Sequence, residues 1–326
     1  MELRKKLKQF NVPKTIFLIL ALIPLAMLLF IIVSIFIKSI PAMTQIGFFG
    51  YGKLFSSEIA GITVNGVEYY GLLPAIWGTI LVIIITMAIA FPVALAIAIL
   101  ANELTLGVLG NVIRTALGIF SGIPTIIYAL VAIVFAQLII IPKFCGAGYP
   151  GTIPPSGMTW YYPGSLPYFT STLLGGMMLS LVIIPFLAPL IDDAIRGVPR
   201  SLKEASYSLG ANRWHTLRHV VLPYASPGIL SASSLAVLAT MGDVVIVGML
   251  IGFQSLLPNP LFDILKSTAP LTSTGAGFAG GFSQSQGTPL RSSAANFTGL
   301  LLLFIAFAVL AAVQILQNKL RRRFDL

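Results

Sequence analysis

The chain has 326 residues, of which 57% are hydrophobic and only 9% are charged, and its mean hydropathy is +0.95. Because soluble domains carry about 25% charged residues, this composition excludes a water-soluble globule and indicates a polytopic membrane protein. A single cysteine, Cys145, excludes an internal disulfide framework and any cysteine-cluster metal site.

Uninterrupted apolar runs of about 20 residues predict transmembrane helices. The first run is too long for the apolar core of a signal peptide and no small-residue cleavage site follows it, so it is predicted to be an uncleaved span. The sequence therefore predicts an all-α fold with six spans, in residues 16–37, 72–100, 115–141, 172–191, 228–254 and 297–317.

The basic residues behind the net charge of +10 are concentrated on one side of the membrane. With six crossings, fifteen of the 20 Lys and Arg residues fall on the side of both termini, in the two tails, at Arg114 and in the loop before the fifth span. Cytoplasmic loops carry an excess of basic residues, so we expect both termini in the cytoplasm of a cell-membrane protein. This distribution argues against a nucleic-acid partner, and membrane lipid is the expected surrounding.

We divide the chain accordingly. Residues 1–60 hold the N-terminal tail, the first helix and the start of an external loop; residues 61–320 hold the core; residues 321–326 form a basic tail. External residues 142–168 are rich in Pro, Gly and aromatics, which predicts a compact cap or partner-contact loop. External residues 273–293 are rich in Gly, Ser, Thr and Gln, and we predict a loop or re-entrant segment there.

Two spans contain features that a lipid-facing helix avoids. The third carries a breaker cluster, which either kinks a packed helix or also lines a pathway. The fifth carries Asp243 after a stripe of small residues at Ala232, Ala236 and Ala239. An acid at such depth is by default a functional candidate, as a pathway or gate residue or as a structural bond. The candidate pathway residues are Ser121, Gly122, Pro124, Thr125, Thr240 and Asp243.

Residues 192–227, the polar loop, form the longest polar interruption of the chain. Ser201 with Glu204 has the spacing of a capping box, which predicts a helix over about 202–209. Gly210 suits a left-handed C-terminal turn, and a second helix is predicted over about 212–221, up to Pro223. His215 and His219 are spaced four apart, as a metal pair can be, but no carboxylate pattern completes a site, so a solvated helix face is the preferred interpretation.

The polar loop contains a spaced motif. Glu204-Ala205-Ser206 is followed after three residues by Gly210, then after nine residues by Val220, and one residue later by Leu222-Pro223. This motif resembles the EAA signature of ABC importer permeases. In that family this loop is the coupling helix that seats on the ATP-hydrolysing subunit. The resemblance implies a type I permease fold and an ATPase-coupling role for Glu204, Ala205, Ser206, Gly210, Leu222 and Pro223.

Other segments are similar to phosphate-type importer permeases, among them residues 70–79, 121–128 and 198–205. Such permeases carry an Arg-x-x-Gly-Glu element after the coupling loop, and this chain has Ala239 and Asp243 in place of the Arg and the Glu. Arginine binds an oxyanion in bidentate fashion, so the absence of this arginine leaves another small solute open as the cargo, although a paired permease subunit could supply the arginine. The resemblance implies phosphate or a similar oxyanion as the cargo.

No P-loop occurs, and no nucleophile–base or metal-ligand set lies in any span. We therefore predict a non-catalytic transport subunit that binds no cofactor itself. The resemblance implies ATPase subunits that bind ATP and magnesium, a second permease of the same fold and an external substrate-binding protein. An ion-coupled secondary transporter and a membrane-embedded enzyme are the alternatives from other classes.

Overall fold

The computed structural model describes residues 12–49, 53–57, 63–64, 67–68, 70–104, 108–135, 171–253, 257–258, 260–264, 266–279 and 289–323. The predicted external cap at 142–168 and the tails at 1–11 and 324–326 lie outside the described residues.

In the described part of the chain the regular elements are helices and one small antiparallel hairpin, in which β1 (Thr63–Val64) pairs with β2 (Val67–Glu68). This confirms the all-α class. The helices are α1 (Val12–Pro41), α2 (Leu73–Ile99), α3 (Val108–Ser121), α4 (Thr125–Phe135), α5 (Thr172–Arg196), α6 (Arg200–Ser208), α7 (Arg213–Thr216), α8 (Leu222–Gly242), α9 (Val245–Leu250), α10 (Leu271–Phe278) and α11 (Pro289–Arg323). Single π-helical turns extend α1 (Ala42–Ile46) and α2 (Leu100–Leu104) and join α7 to α8 (Leu217–Val221).

Five of the described helical segments are long and apolar enough to cross a membrane, and a bent pair supplies a sixth crossing if it is one span. The bent pair is α3 and α4, which meet at 89°. The prediction of one kinked helix over 115–141 is therefore wrong within its described part, because the chain turns at Gly122–Pro124 and the first half begins at Val108. The last residues of that prediction, 136–141, lie outside the described residues.

Helix α5 lies at the centre of the bundle. It packs against α2, α3, α8 and α9, and its buried face includes Leu179, Ile183 and Leu187. Two of its glycines let neighbours approach closely, since a Cβ at Gly175 would lie 2.4 Å from Ile251 and one at Gly176 would lie 2.6 Å from Ile85. By contrast, the apolar membrane-spanning stretches of α1 and α11 bury none of their residues against the rest of the chain. Both helices therefore offer their surface to lipid or to another subunit.

A second cluster of buried apolar residues lies at the end of the bundle opposite the polar loop. There α10 packs between α2 and α11, with Leu271 and Phe278 almost fully buried. The prediction of a loop or re-entrant segment over 273–293 is thus partly wrong, because residues 273–278 are a buried helix, while residues 280–288 lie outside the described ones. The backbone N–H of Leu271 donates to the Thr79 hydroxyl at 3.0 Å, which anchors the segment to α2.

Ser293 joins α11 to α1 by entering the hydrogen-bond ladder of α1. The Ala42 N–H donates to the Ser293 hydroxyl oxygen at 2.8 Å, and that hydroxyl donates to the Lys38 carbonyl at 2.7 Å. Ala42 N–H and Lys38 C=O would otherwise bond each other, four residues apart in an α-helix. An inserted side chain of this kind interrupts a helix locally, here at the start of the π-helical turn Ala42–Ile46.

We expect Ser293→Ala to loosen the joint between α1 and α11, because it leaves a buried N–H and a carbonyl without their partner. Such a loss costs about 1–3 kcal/mol. The purified protein in detergent should unfold at a lower temperature, whereas Ser292→Ala, at the exposed neighbouring position, should not change the unfolding temperature. Equal melting temperatures for the two variants would contradict this role.

Candidate functional site

The first helix of the polar loop, α6, begins earlier than its sequence predicts. Pro199 occupies the N-cap position with φ −57° and ψ 135°, and no side chain caps the helix. Ser201 therefore lies inside the first turn, so the predicted capping box with Glu204 is wrong. The ψ of 135° is extended, which places Pro199 outside the helix, and the helix begins at the residue that follows it.

The end of α6 agrees with its prediction. Gly210 has φ +82°, a left-handed conformation that favours glycine. The Ala211 N–H donates to the Ser206 carbonyl at 3.2 Å, and the Gly210 N–H donates to the Tyr207 carbonyl at 2.9 Å. These two bonds form a Schellman motif, which ends a helix and turns the chain sharply.

The second helix of the polar loop is not a separate element. The Asn212 side chain accepts a bond from the His215 N–H at 2.8 Å and caps α7. The chain then continues as helix through Pro223, so that Arg213–Gly242 forms one span of 30 residues. The predicted stop at Pro223 is wrong because proline is tolerated in the first turn of a helix, and here it follows the π-helical turn directly.

The two halves of the polar loop are fastened by a pair of hydroxyl groups. The Ser206 and Thr216 side-chain oxygens lie 2.9 Å apart, and both residues are buried. Ser206 belongs to the EAA-like motif, so one residue of that motif is buried and holds the two helices together, whereas other residues of the motif are exposed. The outcome is a rigid two-helix unit that projects from one end of the bundle.

The projecting unit exposes an apolar surface. Leu209 is 89% exposed and Trp214 is 63% exposed, and Tyr207 is also exposed. Glu204, Ala205 and Gly210 are exposed too, whereas Leu222 and Pro223 are half-buried at the start of α8. Large apolar side chains that remain exposed in a polar region mark an interaction surface.

The breaker cluster separates α3 from α4. Pro124 has no N–H to donate to the Phe120 carbonyl four residues earlier, and two other donors reach that oxygen: the Ile123 N–H at 3.2 Å and the Tyr128 hydroxyl at 2.9 Å. Ser121, Gly122 and Pro124 are exposed, and Thr125 is half-buried at the start of α4. The sequence analysis did not identify Tyr128, although a tyrosine four residues after a proline in a span is a usable signal.

Asp243 lies at a second break, between α8 and α9, rather than inside one helix. Its side chain accepts a bond from the Ile246 N–H at 2.9 Å and so caps α9. The prediction of one fifth span over 228–254 is corrected accordingly. Thr240 is buried, and its hydroxyl donates to the Ala236 carbonyl of its own helix at 2.8 Å.

The two broken spans meet. Helix α9, which follows the break at Asp243, packs against α4, which follows the break at Gly122–Pro124. Ala129 and Ala132 of α4 and Ile246 and Val247 of α9 belong to one buried cluster. The predicted pathway residues of the third and fifth spans therefore border elements that contact each other, since Thr125 begins α4 and Asp243 stands two residues before α9. They are separate from the two helices of the polar loop.

A buried ionic group at the end of α5 was missed by the sequence analysis. Asp192 is only 4% exposed, and its carboxylate pairs with Arg114 at 2.9 Å and with Arg196 at 3.0 Å. Arg114, which we counted as a loop charge, lies within α3. The ionic group was hard to predict from the sequence, because Asp192 stands in a charged stretch, and charged side chains in such a stretch are ordinarily solvated.

The two histidines stack, with ring centroids 4.2 Å apart, and both are exposed. No group of three or more metal-binding side chains occurs among the residues that the structure describes. Both side chains lie on the exposed face of α7 and the π-helical turn after it.

The described residues form a helical membrane bundle with two broken spans around a central helix and a two-helix loop at one end. The chain belongs to the family of binding-protein-dependent transport system inner membrane components, whose family model matches residues 94–325. It is thus an ABC importer permease subunit, a multi-pass membrane protein.

Among curated relatives, the phosphate transport system permease protein PstC of Pasteurella multocida is 31% identical over 266 residues, 78% of this chain and 77% of that protein. The PstC protein of Mesorhizobium japonicum is 30% identical over 309 residues, 93% of this chain and 88% of its own. The resemblance to phosphate-type permeases is thereby confirmed.

Three solved structures share the fold. A chain of the MetNI methionine ABC transporter in an inward-facing conformation aligns with a TM-score of 0.55 at 18% identity, over 76% of this chain and 95% of that one. A chain of a bacterial ABC transporter that imports the polysaccharide alginate aligns with a TM-score of 0.58 at 15% identity, over 96% of this chain and 99% of that one. A bacterial alginate ABC transporter was also solved in complex with a substrate-bound periplasmic protein, and a chain of it has a TM-score of 0.56 at 17% identity, over 97% of this chain and 98% of that one.

Proposed function

We propose that the chain is the transmembrane subunit of an ATP-driven importer of phosphate or a similar oxyanion. The observation that carries this proposal is the rigid, apolar, projecting surface of α6 and α7 at one end of a bundle with two broken spans. Exposed Leu209 and Trp214 form the seat for a cytoplasmic ATPase subunit. That subunit binds ATP and magnesium, since the sequence contains no P-loop.

The basic residues support the orientation. Arg200, Lys203, Arg213 and Arg218 lie on the polar loop, so the end that carries this loop is also a basic end. Both tails are basic as well, and basic loops remain in the cytoplasm. We therefore place the polar loop and both termini in the cytoplasm, and the end with α10 and the Trp77–Phe262 contact at the outer face.

The helix that continues the polar loop transmits its displacement. Arg213–Gly242 is helical without a gap over 30 residues, about 45 Å at 1.5 Å per residue. A rigid helix moves as a unit, so a push on α7 reaches the break at Asp243. The fifth span changes direction at Asp243 and the third span changes direction at Gly122–Pro124. At these two breaks the pathway opens alternately to the two sides of the membrane.

The proposed cargo follows from the names of the relatives and from the altered Arg-x-x-Gly-Glu element. The relatives are named phosphate transport permeases, but Ala239 stands where such permeases carry arginine. An anion at this break would meet the Asp243 carboxylate and no cation on the same turn. We therefore assign the anion-binding arginine to a second permease subunit, which pairs with this one, and delivery of the solute to an external binding protein.

Reconstitution tests the proposal. Proteoliposomes with this chain, its permease partner, the ATPase subunits and the binding protein should accumulate ³²P-phosphate only with ATP and magnesium on the ATPase side, and not with a non-hydrolysable ATP analogue. Arsenate should compete more strongly than sulfate if the site selects phosphate-like anions. Accumulation driven by an ion gradient without nucleotide would instead identify a secondary transporter and contradict the proposal.

A further inference from the structure

Three helices are tied together at Asp192, at the end of the bundle that carries the polar loop. The Arg114 guanidinium of α3 bonds both carboxylate oxygens, with Nε at 2.9 Å and an Nη at 3.4 Å. Arg196, one turn after Asp192 on α5, reaches the same carboxylate at 3.0 Å. Helix α2 contributes its terminal turn, where the Ala101 carbonyl accepts from Arg114 at 2.9 Å and the Asn102 amide donates to the Asp192 carbonyl at 3.3 Å.

An ionic group of this kind is not needed for stability alone. Taking charges out of water is costly, and well-packed apolar side chains can often replace a buried ion pair without loss. A paired, bidentate arginine does give geometric specificity. The group therefore fixes the positions of α2, α3 and α5 relative to one another at this end of the bundle.

The location of each member connects the polar loop with a broken span. Arg196 is the last residue of α5 and stands immediately before the turn into α6. Arg114 lies seven residues before Ser121, the last residue of α3, which is about two helical turns. A displacement of α6 therefore reaches Arg196 first, and the shared carboxylate of Asp192 passes it to Arg114 and so to the break at Gly122–Pro124.

We propose that Asp192 is a positioning residue that makes α3 move together with the polar loop, so that the third span follows the ATPase as the fifth span does. The inference rests on the proposed function, because it assigns a second route by which the same motor moves the pathway. The direct route runs along Arg213–Gly242 to the break at Asp243, and the Asp192 route acts on α3, the first half of the other broken span.

Neutralisation of Asp192 should separate ATP hydrolysis from transport. In the reconstituted complex we expect Asp192→Asn to lower the phosphate transported per ATP hydrolysed about tenfold, in the range of typical coupling effects, while the hydrolysis rate per complex persists. Arg114→Gln should give the same ratio, and Asp192→Glu should restore most of it. The matched control is Asp193→Asn, since this neighbouring carboxylate is exposed; its ratio should equal that of the wild type.

A distance measurement tests the linkage without reference to transport. Spin labels at Val112→Cys on α3 and Ser201→Cys on α6, both exposed positions, are placed in a Cys145→Ser background. The distance distribution should be narrow with Asp192 present and broader with Asp192→Asn, even in the absence of nucleotide. Asp193→Asn should leave it narrow.

The outcomes are separable. An unchanged transport-to-hydrolysis ratio, or an unchanged distance distribution, in Asp192→Asn overturns the inference. A parallel fall of hydrolysis and transport, with less protein in the membrane, would reveal a purely structural role and overturns it as well. If the wild-type complex itself transports without ATP, the proposed function fails, and the distance measurement still decides whether Asp192 links α3 to the polar loop.

Discussion

Replacing Leu209 and Trp214 together by glutamate should abolish ATP-driven uptake while the protein still inserts and folds. Both side chains are largely exposed in the isolated chain, so the change creates no cavity. Burial of each at an interface contributes about 2 kcal/mol, and charges at the same place add a desolvation cost. Loss of roughly 4 kcal/mol corresponds to about a thousandfold weaker association with the ATPase subunit. Co-purification of the ATPase with the tagged permease measures this directly.

The conservative pair Leu209→Met with Trp214→Phe is the matched control, since it keeps an apolar surface of similar size. It should retain the ATPase and most of the uptake. Transport at wild-type rates by the glutamate variant would show that the motor does not seat on α6 and α7. An intact association combined with lost uptake would instead place the role of this surface in transmission after docking.

Replacement of Asp243 by alanine should reduce uptake by roughly tenfold or more while the complex still assembles. The carboxylate caps α9 at the junction with α8 through the Ile246 N–H, and loss of a cap costs about 0.5–2 kcal/mol. The junction connects the continuous helix Arg213–Gly242 to the half-span that packs against α4. A loosened junction no longer transmits the motion of the polar loop. Initial uptake rates, normalised to assembled complex, provide the measurement.

Asparagine at this position distinguishes a cap from a charge. Asn is as good an N-cap as Asp but carries no charge, so we expect Asp243→Asn to retain most of the uptake. Equal loss in the Asn and Ala variants would mean that the negative charge itself acts in the pathway. Normal uptake by Asp243→Ala would remove the residue from the mechanism altogether.

The long spans were predicted well because their signal is local. A run of apolar residues long enough to cross the bilayer has few alternatives to a helix, since every backbone group must be bonded within the segment. Helices α1, α5 and α11 accordingly contain the predicted runs with additional residues, and α2 matches its predicted run to within one residue at each end. The Schellman turn at Gly210 was predictable for the same reason, because φ +82° is a property of one residue type.

The errors arose where one nearby side chain or proline decides the local backbone, which the pattern of apolar residues does not register. Whether the cluster at Ser121–Thr125 kinks a helix or turns the chain by 89° depends on what else can bond the freed carbonyl, and here Tyr128 does so. Asp243 was predicted to lie inside a span because hydropathy does not register a helix break at which a side chain bonds the freed backbone N–H groups. Ser201 and Glu204 have the spacing of a capping box, but Ser201 is not the N-cap residue, because α6 begins directly after Pro199.

The sequence alone determined that the chain resides in a membrane, which of its ends are basic, and that residues 192–227 form a helical polar loop of the EAA type, because composition, charge and short-range turn geometry act over a few residues. Only the tertiary structure decided that Ser206 meets Thr216, that Ser293 enters the ladder of α1, and that Asp192 joins Arg114 across 78 residues. These pairings reflect the requirement that every buried polar group find a partner, and the partner is chosen by how the helices pack.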